Sequence, residues 1–441
     1  MTKSAGPFVP TMSASTRYSM AGDDCSLHFD LSTLTPKQAA DHASNQVLTA
    51  MLQVALLYIA KPTDEVCLYD TFQQPSWREA LAAYRQRFVT MGLAPAALSQ
   101  VQYHPMHDFY ASVSRCPSDT ATETLYMTSG SNLPLHNDAA SLATSANLNS
   151  KVHFAAHAPA FGLTVPDTLH CSKAELDGPV VQDFFNKHPT PIMLKTLGLA
   201  GARNVTQVMT PSAASDYVHE YAPTMDIILQ QRLDTQHYTE MTVDLDVSER
   251  SIAVTNVRRI LFADGLWVGN LMGGAVELPR HHEQALLQVG EYARSHGFQH
   301  PLGLNLGIDY FIRNPDAPES LPELVVTEIN ARWTGGLFPA ELVRRLGVED
   351  QPVVAFIDTC PPAAFERLQG FIDDHLYTPG HSAAFRIAPM GFAPFPVELD
   401  GQQQLFVWQL VIGDFEAFKA VRQASLDATI LPTVPIISTA L

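Results

Sequence analysis

The sequence predicts a mixed fold, an α/β N-terminal part followed by a longer α+β part. A strand and then a helix over residues 65–90, with another strand candidate at 124–128, point to a partly parallel sheet. Over residues 238–272 polar and apolar residues alternate across two turns, the pattern of an antiparallel meander. With 441 residues the chain exceeds one compact core and should hold two or three domains.

Residues 1 to about 35 are rich in Ser, Thr, Pro and Gly and read as a flexible extension. Over 36–60, Val47, Met51, Val54 and Tyr58 form one apolar helical face. A short strand over 65–69 precedes a helix over 77–90. Residues 133–162 read as one helix carrying Lys151, and 163–168 leave it extended. The apolar run 191–194 ends at Lys195, and Gly198 and Gly201 follow in a loop. Residues 226–229 form a buried strand. The meander turns at 248–251 and 263–265. A helix over 283–295 precedes strands over 304–312 and 324–329. The helix over 339–346 stops at Gly347, a suitable C-terminal cap. Strands over 382–388 and 405–412 and a helix over 415–425 complete the chain as a structural tail.

Composition excludes several functions. Lys and Arg number 27 against 45 Asp and Glu, and a formal charge of -18 repels a phosphate backbone, so nucleic acid is not an expected partner. The longest apolar run, 48–60, is too short to span a bilayer and contains Gln53, so no membrane association is expected. Five scattered cysteines without a CxxC pair, and a leader without a continuous apolar core, fit a reduced cytoplasmic location.

Asp309 lies on one expected strand, while Glu328 and Asn330 lie two residues apart on the next and share a face. Three such oxygen ligands suit a hard cation such as Mg²⁺. Arg332, two further on, would stand beside them if the strand persists. Alternating carboxylates are also the ordinary solvent row of a half-exposed strand. Val325 and Val326, consecutive and apolar, favour a strand buried on both faces, where acids need a partner. Lys195, at a strand end before a glycine-containing loop, is either a surface residue or a phosphate contact.

His104 to Asp108, and the pair His281 and His282, read as loop and exposed helix-start residues before they read as metal sites. Trp333 to Gly336 could shape an acceptor pocket, since two glycines permit close backbone approach. Neither GxSxG nor HExxH occurs.

In order along the chain come LNSK at Lys151, IMLKTLGLAG at Lys195, IILQQRL at Gln230, Glu240, GIDYFI at Asp309 and TEINAR from Thr327. Over residues 149–346 this order resembles the ATP-grasp superfamily, whose members clamp ATP between two α+β subdomains. The resemblance implies an α/β pre-ATP-grasp domain over 36–148, an ATP-grasp domain over 149–350 with its lid at about 165–235, and a C-terminal α+β subdomain over 351–441. It implies ATP contacts for Lys151, Lys195, Glu240 and the hinge residues Gln230, Gln231 and Leu233. It further implies metal ligation by Asp309, Glu328 and Asn330 and a catalytic role for Arg332. Gln230 stands where the family usually has Glu, and the phosphate loop has fewer glycines than in many relatives.

The function so implied is ATP-dependent carboxylate–amine ligation through an acylphosphate, with Mg²⁺ or Mn²⁺ as cofactor. The expected partners are a small-molecule carboxylate and an amine, an amino acid or peptide among them. A homodimer is the commonest assembly for such an enzyme. The alternatives are a kinase or carboxylase-type enzyme with a non-amine acceptor, and a non-catalytic nucleotide-binding protein.

Overall fold

The computed structural model describes residues 15–21, 32–93, 99–116, 121–124, 139–197, 204–263, 266–274, 276–399 and 401–425. The first sheet holds β1 (Thr16–Ser19), β2 (Glu65–Tyr69), β3 (Gln100–His104) and β4 (Ala121–Thr124) in the order β3-β2-β1-β4, all parallel. Helices α1 (Pro36–Ile59), α2 (Pro75–Thr90) and α3 (Phe109–Arg115) connect or flank these strands. The expected strand over 124–128 begins earlier, at Ala121, and residues 125–128 lie outside the described residues.

The expectation of a flexible extension over residues 1–35 is corrected within its described part, because β1 is an interior strand of this sheet. Its sequence, TRYS, carries no hydrophobic signal, yet Arg17 is 1% exposed. The guanidinium is satisfied locally: Nε donates to Glu65 at 2.6 Å and Nη1 to the Cys116 carbonyl at 3.0 Å. A buried charge so paired is tolerated.

Helix α1 begins at a capping box formed by Thr35 and Gln38. Its second half, from Val47 to Ile59, is buried, and it packs against the last strands of the chain as well as against β2. The Tyr58 hydroxyl donates to the Phe338 carbonyl at 2.9 Å and ties the N-terminal part to the large C-terminal part.

The helix expected over 133–162 is interrupted. It comprises α4 (Ala139–Leu148) and α5 (Lys151–His157), because the Ser150 side chain accepts from the His153 amide and starts a new helix. Lys151 therefore stands at a helix N-terminus and not mid-helix. The second sheet follows: β5 (Thr168–Ser172), α6 (Pro179–Lys187), β6 (Ile192–Thr196), β7 (Val205–Val208), α7 (Pro211–Tyr217) and β8 (Asp226–Gln231), ordered β5-β8-β6-β7 and antiparallel. Ile192, Leu194, Ile227 and Leu229 pack with Val181, Phe185 and Ala214 of its helices. Period-two alternation turns Met193, Lys195 and Gln230 to the other face. Gly198 and Gly201 lie outside the described residues.

The third sheet is antiparallel throughout. It contains β9 (Tyr238–Val247), β10 (Ile252–Ala263), β11 (Leu266–Gly273), β12 (Leu304–Arg313), β13 (Leu324–Asn330), β14 (Pro352–Cys360), β15 (Phe385–Phe392), β16 (Val397–Leu399) and β17 (Gln402–Gly413). The order is β13-β12-β9-β10-β11-β14-β17-β15, with β16 on β17. Helix α8 (Arg280–Ser295) covers one face, placing Leu286, Val289 and Tyr292 on Val243, Leu245, Leu306 and Ile308. Helix α9 (Leu337–Leu346) ends at Gly347 with φ 66°, as expected. Helices α10 (Phe365–Asp374) and α11 (Phe415–Ser425) back the C-terminal strands. Sequence patterning assigns no strand to 352–360, yet β14 is what joins the tail to the meander, through β11 and β17.

Candidate active site

The second sheet faces the third across a cavity of about 310 Å³ whose remaining wall is α1. All ten residues singled out in the sequence line it: Lys151, Lys195, Gln230, Gln231, Leu233, Glu240, Asp309, Glu328, Asn330 and Arg332.

Their positions follow from strand register. Asp309 on β12 is the direct partner of Glu328 on β13, and the Asn330 amide nitrogen donates to Asp309 Oδ2 at 3.2 Å. Lys151, at the start of α5, forms an ion pair with Glu328. Strand β13 ends at Asn330, before Arg332, but Arg332 still reaches the cavity after a tight turn in which its amide donates to the Asn330 carbonyl at 2.8 Å. From the opposite sheet β6 presents Lys195. Gln230 is buried at the end of β8, donating to Thr168 Oγ1 at 3.1 Å, and Leu233 lies in the short crossing from β8 to β9.

Electrostatics separates these groups. Burial alone would raise Glu328, but the ammonium groups of Lys151 and Lys195 hold its carboxyl well below the usual range. Burial, and then the neighbouring Glu328, push Asp309 up. Glu240 is pushed up to about 8, first by burial and then by Asp309, against the pull of Lys195. Burial lowers Lys195, and the charge of Glu328 offsets part of that. Two carboxylates in contact, with an amide oxygen beside them, are a donor set that fits Mg²⁺ or Mn²⁺, because a divalent charge would offset the repulsion between the two carboxylates.

Arg258, Asn270 and Trp408 are among the cavity side chains that sequence patterning does not single out. Arg258 on β10 is buried and paired with Asp244, which is fully buried on β9. Asn270 on β11 and Trp408 on β17 line the same wall. Arg258 shares its strand face with Ile260 and Phe262, and Asn270 with Val268 and Met272, so alternation alone does not mark either residue. The two histidine groups lie elsewhere. His104 ends β3, with Nδ1 2.9 Å from Ser112 Oγ. His281 is exposed as expected and stands 2.7 Å from Glu323, whereas His282, also expected to be exposed, is buried. The packing of α8 against the sheet turns one of two adjacent residues inward.

A parallel N-terminal sheet, a small antiparallel sheet and a large antiparallel sheet, with the last two closing on one cavity, define the ATP-grasp fold. Solved structures carry the same arrangement. The N5-carboxyaminoimidazole synthetase from Staphylococcus aureus, complexed with ADP, aligns over 96% of this chain and 99% of its own, with TM-score 0.57 and 9% identity. The L-amino acid ligase from Bacillus licheniformis aligns over 95% and 98%, with TM-score 0.52 and 11% identity. The N5-carboxyaminoimidazole ribonucleotide synthetase from Thermus thermophilus aligns over 95% and 99%, with TM-score 0.50 and 14% identity. In sequence, no family model matches the chain and no curated protein matches it. Among the described residues, no helix is long and apolar enough to cross a membrane.

Proposed function

We propose that this protein is an ATP-dependent carboxylate–amine ligase. The observation that carries the reading is the opposition of Lys195, on the small sheet, to the cluster of Lys151, Glu328, Asp309 and Asn330 on the large one, across a single cavity. Cations on both sides would hold the phosphates of ATP, while Gln230, Gln231 and Leu233 border the crossing between the sheets, where the base would lie. Asp309, Glu328 and Asn330 would hold Mg²⁺, which neutralises phosphate charge when bound.

In this reading an oxygen of the substrate carboxylate attacks the γ-phosphorus. The bond from that phosphorus to the bridging oxygen breaks, leaving ADP and an acylphosphate. The neutral amine then attacks the acyl carbon, phosphate departs with the carbon–oxygen electron pair, and the amine's proton passes to phosphate or water. Arg332 would stabilise the negative charge that develops on the acyl oxygen. The protein's own contribution is positioning and charge compensation.

The test is an ADP-release screen of amino acids in pairs with Mg-ATP, with products followed by mass. Amine-dependent ADP release with an amide product is the expected result. Release that depends on bicarbonate would replace ligation with carboxylation, and release requiring neither would point to a kinase. In the same protein, Lys195→Ala should weaken ATP binding about tenfold or more by calorimetry, the effect of losing a charge-assisted contact. An unchanged affinity would remove Lys195 from the nucleotide site.

A further inference from the structure

The far end of the cavity bears on which amine is joined, an inference that rests on the ligase reading. Glu328, Asp309, Thr242 and Arg258 form one row of direct cross-strand partners over β13, β12, β9 and β10. At about 4.8 Å per strand, Arg258 starts roughly 14 Å from Glu328. It belongs to the same wall but not to the acidic cluster.

Arg258 is 1% exposed. Nη1 donates to Asp244 and Asn256, and Nη2 lies 3.4 Å from Thr242 Oγ1, yet Nε–H has no acceptor. The Nε–Nη2 edge is the one suited to a two-oxygen anion. A Cβ at Gly336 would stand 2.5 Å from Nε, 2.8 Å from Cζ and 3.0 Å from Nη2, against the guanidinium face, so glycine is what lets the main chain pass this close to it. Other buried atoms in the same cavity lack partners, among them Thr334 Oγ1, Asn270 Oδ1 and the Trp408 indole Nε1. Buried polar atoms without partners are costly, and several of them lining one cavity call for a polar ligand. Leu48 and Met51 of α1, with Ile357 and Trp408, supply apolar surface to the same cavity.

We propose that this pocket holds the amine substrate as an α-amino acid with an apolar side chain. Its non-reacting carboxylate lies on the Nε–Nη2 edge of Arg258 with Thr334 as a further donor, its amino group donates to Asn270 Oδ1, and its side chain lies against Ile357 and Trp408. The carboxylate anchors the molecule, leaving the nitrogen free to attack toward the acidic cluster.

Calorimetry on the full chain, with and without Mg-ADP, tests this using L-leucine, L-methionine and L-phenylalanine beside their carboxamides. At least one acid should bind about tenfold or more tightly than its amide, the worth of a charge-assisted pair. Arg258→Lys preserves the charge opposite Asp244 but cannot present a two-donor edge, and Gly336→Ala presses a methyl onto the guanidinium face and so displaces that edge. Both should bring the acid-to-amide ratio toward unity. Acids and amides binding alike, no binding of any probe, or a ratio preserved in both variants would overturn the proposal. Acid-selective binding without ADP release from any pair would instead sink the ligase reading and leave this pocket standing.

Discussion

Lys151, the first residue of α5, is ion-paired with Glu328 on β13, and this contact fixes the charge state at the centre of the cavity. Glu328 stays ionised because that ammonium group, with Lys195 behind it, outweighs the cost of burial. Burial, and then the charge of Glu328 at hydrogen-bonding range, push Asp309 up, and the pull of Lys151 offsets only part of this. One carboxyl of the pair is thereby held down and the other up, an asymmetry that a divalent cation would remove by drawing on both.

Glu328→Gln keeps the side-chain volume and deletes the charge. Mg-dependent ADP release should fall about 100-fold or more, since even groups that merely support a metal ligand account for about 10–100-fold. Circular dichroism should match the parent, because Gln can still pack between β12 and α5. Unchanged ADP production would remove Glu328 from the metal site.

This centre is legible in the sequence because its residues sit on a strict two-residue period beside a buried apolar pair, Val325 and Val326. Arg258 and Asn270 stand on strand faces beside apolar residues, Ile260 and Met272 among them, so no polar period marks them, and only the opposing sheet and α1 reveal the cavity they line. Strand β1 is hidden for another reason. Three of its four residues are buried, Arg17 because Glu65 and two main-chain carbonyls satisfy it, and those partners lie 48 or more positions away. Strand β14 is hidden where the tail reads as separate, yet its partners β11 and β17 make the large sheet continuous.

The join between the tail and the sheet depends on a second buried ion pair. Arg422 of α11 grips Asp358 of β14 through Nη2 at 2.7 Å and Nε at 3.0 Å, and Gln409 donates to the same carboxylate at 3.0 Å. Both partners are 2% exposed. Arg422→Met leaves the carboxylate buried without its cation and should cost about 3–5 kcal/mol, read as a lower denaturation midpoint. Adding Asp358→Leu to that variant should recover much of the loss, because two apolar residues of similar volume avoid the desolvation cost. A double variant as unstable as the single one would show that packing, not charge, holds α11 in place.

Glu240 links the cavity to pH. Its carboxyl titrates near 4.5 when unfolded and is pushed up to about 8 in the fold, mainly by burial, with Asp309 adding to the effect. A raised folded value means that the native state binds the extra proton between those limits. The resulting contribution to stability is complete below about pH 4.5 and is lost as pH rises through about 8. Glu240→Gln retains the neutral shape and removes the titration. Without nucleotide, the variant should therefore melt close to the parent at about pH 5 and above it at about pH 8.5, by a margin on the order of 1 kcal/mol once screening by water in the cavity is allowed for. The measurement is a pair of melting curves for each protein at the two pH values. Parallel pH dependence in the two proteins would mean that Glu240 ionises normally and that Lys195, across the cavity, already compensates its charge.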